Sequence, residues 1–251
     1  MVEGPGAMNT LLDALRFIGH NGALPADPSA PTLVHLTLQM LWISGIGIAI
    51  SLAVGLPIGA WLGHLHRFSF AAINISNIGR ALPSLAVLAI GDAILGLGLT
   101  VTEVALVILA APIVLTNAYV GIAGVDPEIV DAARGMGMSG WRILWRVEVP
   151  LAIPLLFAGI RTAAVYVVAT ATIASLAGYN GGLGYIIADE QSYHLSGVLG
   201  AAICVAALAL LVEGSLALVQ RALTPRGVRL EHEARGEEVD PLVPVTAVPT
   251  P

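Results

Sequence analysis

The residues of this chain best suited to acting on something outside it lie in one short polar segment. Asp131-Ala132-Ala133-Arg134-Gly135-Met136-Gly137 is followed by Val147-Glu148-Val149-Pro150, where the sequence turns apolar again. Asp126 predicts a helix N-cap, Pro127 the first helical position, and Glu128 a negative charge where the helix dipole favours one. Ile129, Val130 and Ala133 give that helix an apolar stripe, and Gly137 suits the left-handed residue that ends it. Ser139 predicts the cap of a second short helix carrying Trp141, Arg142, Trp145 and Arg146, with Pro150 starting the next apolar run. Trp and Arg together have the composition of an interface hot spot, so a soluble partner docking here is one reading. A helical hairpin with Trp141 and Trp145 anchored at lipid headgroups is the other.

Other polar groups stand inside apolar sequence. Asp92 suits a water-filled path or a bond to a neighbouring helix, and a cationic solute could use its carboxylate. Glu213 reads as a packing or interface acid. Arg161 lies about 17 Å along its helix from Pro150 by the helical rise and is expected to pair with an Asp or Glu of a neighbouring span. Tyr119, Tyr166, Tyr179, Tyr185 and Tyr193 offer aromatic faces to a cation, although Tyr is equally common at membrane interfaces. Asn180, Gly181, Gly182 and Gly184 form a Gly-rich stretch without the Lys-Ser/Thr of a phosphate loop. Among the six His, His64-x-His66 alone has a plausible metal spacing, and a headgroup role beside Arg67 is expected for it instead. No nucleophile–base pair stands out, so neither a catalytic residue nor a metal site is expected.

These groups must be held by membrane helices. The 251 residues are 57% hydrophobic and only 11% charged, with a mean hydropathy of +0.86. Soluble domains carry about 25% charged residues. A net charge of −6 argues against a nucleic-acid partner, and the lone Cys204 against a disulfide. At about 20 residues per span, the chain accommodates an all-α bundle of about five spanning helices. They are expected near residues 33–65, 81–99, 101–120, 149–177 and 197–220, with an amphipathic, Asn-rich stretch at 68–79. Residues 1–32 are expected to form an external segment with a short interfacial helix, 33–221 the transmembrane domain with a cytoplasmic segment at 124–148, and 222–251 a disordered cytoplasmic tail. All eleven basic residues are Arg. With five spans, Arg67, Arg80, Arg134, Arg142, Arg146, Arg221, Arg226, Arg229 and Arg235 share one side and only Arg16 lies on the other. The positive-inside rule then puts the N-terminus outside and the C-terminus in the cytoplasm.

The spacing around the polar segment resembles the EAA signature of ABC-importer permeases: Glu-Ala-Ala, three residues, Gly, nine residues, Ile-x-Leu-Pro. Here Asp131 replaces Glu, and Val147 and Val149 replace Ile and Leu. Ala81-Leu82-Pro83-Ser84-Leu85-Ala86, Thr116-Asn117-Ala118-Tyr119, Val125-Asp126-Pro127, Ala158-Gly159-Ile160-Arg161 and Gly181-Gly182-Leu183-Gly184 are similar to permeases of osmoprotectant importers, which carry glycine betaine, choline or carnitine. The resemblance covers about residues 33–221. Leu115-Thr116 departs from it, since an Arg is expected before Asn117.

The resemblance implies a type I importer permease in a bacterial cell membrane, forming half a channel and performing no covalent chemistry. It implies ATPase coupling through Asp131, Ala132, Ala133, Gly137, Trp141, Arg142 and Arg146. A path near Asp92, Asn117, Tyr119, Pro83 and Ser84 is expected, and Asn180, Gly181, Gly182 and Gly184 read as an external gate or a turn against a binding protein. The implied partners are a second permease (a sister chain before a second copy), two cytosolic ATPases that bind the ATP and Mg²⁺, a separate extracytoplasmic binding protein, and lipid. No cofactor is expected on this chain. The alternatives are a permease for another small solute such as methionine, or an ATP-independent secondary transporter. The latter would be expected to show an internal repeat and more intramembrane charge. A reporter fused after Pro251 is expected to stay inaccessible to impermeant reagents in intact cells; its labelling from outside would overturn the odd number of spans.

Overall fold

The computed structural model describes residues 7–22, 30–66, 74 and 81–224, and among them the regular elements are all helical. They are α1 (Ala7–Gly19), α2 (Leu33–His64), α3 (Ser84–Leu95), α4 (Leu99–Ala123), α5 (Pro127–Gly135), α6 (Gly140–Ile143), α7 (Val149–Ala174), α8 (Gly184–Ala188) and α9 (Glu190–Leu223). The Asn-rich stretch expected at 68–79 lies outside the described residues apart from Asn74, as does the tail from residue 225 on. Four helical stretches among the described residues are long and apolar enough to cross a membrane: Leu33–His64, Leu99–Ala123, Gly140–Ala177 and Glu190–Leu223.

The second expected span differs. Instead of a helix over 81–99, α3 has 12 residues, about 18 Å by the helical rise against a hydrocarbon layer of about 30 Å. Pro83 occupies its N-cap position, and Gly96, at φ +83°, terminates it.

The packing nonetheless fixes the directions of the long helices among the described residues. Along α2, Gly47, Gly55, Gly59 and Gly63 lie against Leu106, Val114, Ala118 and Ile122 of α4 in that order, so α2 and α4 run parallel. The chain must therefore return to the Leu33 end between His64 and Leu99. α7 runs antiparallel to α4, with Gly121 against Ala152 and Gly159 against Asn117. α9 runs antiparallel to α7, since Arg161 meets Glu213 and Gln220 meets Pro154. α1 packs at the Leu33 end, with Phe17 against Gly197 and Gly200 of α9, and Leu33 N–H donates to Asn21 O at 3.0 Å. Thus α1 and Leu223 lie at opposite ends of the bundle.

The α2–α4 contact is a glycine seam. Gly55, Gly59 and Gly63 recur every fourth residue and admit the α4 backbone, as small residues do where membrane helices approach closely. A Cβ on Gly59 would strike the Leu115 carbonyl oxygen and the Ala118 methyl. The largest core cluster joins Leu36, Met40, Leu106 and Val114 to Val167, Leu183 and Ile186. Pro57, Pro112 and Pro154 sit inside helices, where membrane proteins tolerate them because neighbours satisfy the freed backbone groups. Gly59→Leu should overpack the seam and cost about 1–3 kcal/mol. Gly45→Leu, on a face with nothing within 4 Å, should be neutral; thermal unfolding of the purified variants separates the two, and equal stability would refute the seam.

Candidate functional site

The polar segment is built as a platform at the His64 end. Asp126 Oδ1 accepts from Glu128 N–H at 2.9 Å and Pro127 opens α5, as its sequence predicts. Gly137 lies in the left-handed region at φ +81°. Its N–H donates to Arg134 O at 2.9 Å, and the Met138 N–H reaches back to Ala133 O at 3.2 Å. That pair of bonds is a Schellman motif. Met138 completes it by packing on the cluster of Val125, Val130, Ala133 and Ile143. With nothing within 4 Å of a Cβ at Gly137, the glycine serves the turn's conformation rather than a close approach.

The faces of α5 divide cleanly. Val130 and Ala133 are buried against the chain's own core, while Ile129, Asp131, Ala132 and Arg134 are exposed. Asp131 and Arg134 form an exposed ion pair at 2.9 Å. Of the alanine pair, then, only Ala132 presents its side chain outward.

The second expected helix is not separate. Ser139 occupies the N-cap of α6 without a side-chain bond, and α6 continues through a π-helical turn, Leu144–Glu148, directly into α7. Pro150 explains the turn: a proline near a helix start lacks an N–H and crowds the carbonyl four residues back, and the wider i→i+5 turn relieves both. The Val149 N–H accordingly donates to Leu144 O. Trp141 and Trp145 lie beside Trp61 of α2, with ring centroids 6.3 Å and 5.6 Å apart along the row. The three flank an apolar recess of about 410 Å³ with Leu56, Pro57, Leu144 and Val149. They form a group distinct from the exposed face of α5. Arg142 and Arg146 are exposed.

One buried contact ties this platform to the first span. His64 Nδ1 lies 2.7 Å from Glu148 Oε2, and the Glu148 side chain is 1% exposed. The headgroup role expected for His64 is therefore corrected, because its ring faces into the protein. Glu148 occupies the variable position of the Val147-x-Val149-Pro150 pattern; an acid where the sequence turns apolar is the signal that marks it.

The other expected residues are dispersed. Pro83 and Ser84 begin α3 and Asp92 lies near its end, where its carboxylate makes no hydrogen bond among the described residues. Asn117 Nδ2 donates to Ile113 O at 2.8 Å, with its Cβ against Gly159, and Tyr119 is buried. At the opposite end the Gly-rich stretch is clamped. Gln39 donates to the Tyr179 hydroxyl at 3.2 Å and accepts from Gly182 N–H at 3.2 Å, while Ser175 Oγ donates to Gly181 O at 2.9 Å. Burial raises the Tyr179 hydroxyl above its usual range; the Gln39 bond opposes this and the Glu103 charge adds to it. Asn180 and Tyr185 border a recess of about 370 Å³ with His35 and Gln39. Glu103 buries both carboxylate oxygens without a partner among the described residues.

Residues 55–225 match the family described as binding-protein-dependent transport system inner membrane component. The chain is 38% identical over 198 residues to the glycine betaine/carnitine/choline transport system permease protein OpuCB of Bacillus subtilis (strain 168), covering 78% of this chain and 91% of that protein. It is 38% identical over 202 residues to the carnitine transport permease protein OpuCB of Listeria monocytogenes, covering 80% and 92%. Its fold is similar to that of the inward-facing MetNI methionine ABC transporter, with a TM-score of 0.67, 22% identity, and coverage of 77% of this chain and 96% of that one.

Removing one partner of a buried hydrogen-bonded pair leaves the other unsatisfied and costs about 1–3 kcal/mol. His64→Ala, which leaves Glu148 without its partner, is expected to lower thermal stability by that order, and the double variant His64→Ala/Glu148→Gln to recover much of it. Additive losses would show that the two groups are not coupled.

Proposed function

The chain belongs to the family of binding-protein-dependent transport system inner membrane components, and we propose that it is the permease subunit of an ATP-driven importer for osmoprotectants of the glycine betaine, carnitine and choline type. The observation that carries the coupling role is the α5 platform: a short helix closed by a Schellman turn, its apolar face fixed on the chain's own core, its other face exposed at the Arg-rich end. The likeness to osmoprotectant permeases over most of both chains supports the solute class.

In this reading two permease chains, one a sister of the other, enclose the path. Two cytosolic ATPases bind ATP and Mg²⁺ and seat α5, and an extracytoplasmic binding protein delivers solute to the end bearing Asn180 and the Gly-rich stretch. The N-terminus faces outside and the C-terminus the cytoplasm, following the Arg distribution. Closure of the ATPases moves α5, and the continuous helix from Gly140 to Ala177 carries that motion across the membrane. Alternating access then follows as rigid-body rocking about a midplane path.

Uptake of labelled glycine betaine by the reconstituted importer should need ATP and the binding protein, and Gly137→Val should leave ATPase binding intact while reducing uptake per ATP hydrolysed by about tenfold. A non-glycine residue in the left-handed conformation costs about 1–2 kcal/mol, enough to unseat the turn. Transport by this chain alone in liposomes would refute the reading.

A further inference from the structure

Arg161 and Glu213 bring opposite charges together in the interior of two spanning helices. Arg161 Nη2 donates to Glu213 Oε1 at 2.7 Å and Nη1 to Gln220 Oε1 at 3.3 Å. Gln220 Nε2 in turn donates to Pro154 O at 3.4 Å. Counting from Pro150 along α7 and back from Leu223 along α9, both helices place the pair about 15–17 Å from the His64 end. With one edge of a hydrocarbon layer about 30 Å thick set at Pro150 and Leu223, the pair would stand at its midplane.

The pair is not sealed inside the chain. Its side chains are 32% and 43% exposed and open onto a depression of about 540 Å³, whose walls include Ala158, Thr162, Val165 and Tyr166. Arg161 Nε is buried with no partner among the described residues. Charges at this depth face protein or a water-filled path, not lipid. The chemistry of the walls is specific: a guanidinium, a carboxylate and an aromatic ring border one open space.

We propose that this depression is a resting site for a zwitterionic quaternary amine on the translocation path. The guanidinium takes the solute carboxylate in its planar fork. The Glu213 carboxylate and the Tyr166 ring face the quaternary ammonium, which offers no N–H donor and is recognised by charge and by aromatic faces. When the site is empty, Arg161 and Glu213 satisfy each other, so neither charge is left bare. A zwitterion replaces each partner by its counterpart. This inference rests on the osmoprotectant reading above and extends it by assigning this chain a solute contact of its own.

The test uses the assembled importer in proteoliposomes with two probes, glycine betaine, which has a carboxylate, and choline, which has none. Losing a hydrogen-bonded charge contact is worth about tenfold or more in binding, so Arg161→Gln should reduce glycine betaine uptake at least about tenfold and choline uptake far less. Equal losses for both probes would make the pair a structural clasp and overturn the proposal. Should Arg161→Gln fail to assemble, Thr162→Cys in a Cys204→Ala background decides. A hydrophilic thiol reagent should modify it, and glycine betaine should slow the modification. No modification, or modification indifferent to glycine betaine, overturns the site. A wild-type importer that moves neither probe instead removes the osmoprotectant reading, and this inference with it.

Discussion

The His64 end of the molecule depends on one buried contact, His64 Nδ1 to Glu148 Oε2 at 2.7 Å. Glu148 is nearly inaccessible and ends the π-helical turn that carries the polar segment into α7. Burying a carboxylate without a partner is costly, so the turn keeps its position only while α2 offers the imidazole. The contact therefore fixes α2, the turn and the α5 platform relative to one another. The row of Trp61, Trp141 and Trp145 beside it gives the same junction an amphipathic edge suited to the headgroup region.

Within the membrane the same economy of polar groups applies. Helices whose surfaces are apolar all round gain little from burying one another in lipid, so close packing must hold them. The glycines of α2 permit that closeness against α4, and their order shows that the two run parallel. Polar side chains mostly turn back on nearby backbone, as Asn117 does on Ile113 O and Thr172 on Val168 O. The exceptions are informative. Arg161 and Glu213 pair across α7 and α9 while remaining partly open, and Glu103 keeps two buried oxygens without a partner among the described residues.

Local chemistry was the most legible part of the sequence. Asp126 and Pro127 announce the start of α5 and Gly137 its left-handed end, because capping and turn preferences act within a few residues. Apolar length marked the first and third spans closely, at Leu33–His64 and Leu99–Ala123, and the pairing of Arg161 with an acid of another span followed from the cost of a lone charge in lipid. What escaped depends on distance. His64 and Glu148 are 84 residues apart in sequence, and no local pattern joins them. The shortness of α3 is set by Pro83 and Gly96, which an apolar run disguises. Of the apolar stripe expected on α5, Val130 and Ala133 pack with Ile143, while Ile129 is exposed, because the partner face is set by residues beyond the helix. Pro150 marked a helix start in the sequence, but the π turn lets the helix run through it.

In the proposed importer the outer face of α5 seats an ATPase, while its inner face packs on the permease's own core. Adjacent cysteines test it most directly. In the assembled importer, Ala132→Cys on the exposed face should cross-link to a cysteine in the ATPase groove, with a yield that changes between the nucleotide-free and ATP-bound states. Ala133→Cys, 3% exposed in the native chain, should give no cross-link. Equal yields from the two positions, or none from Ala132→Cys in any nucleotide state, would contradict the account.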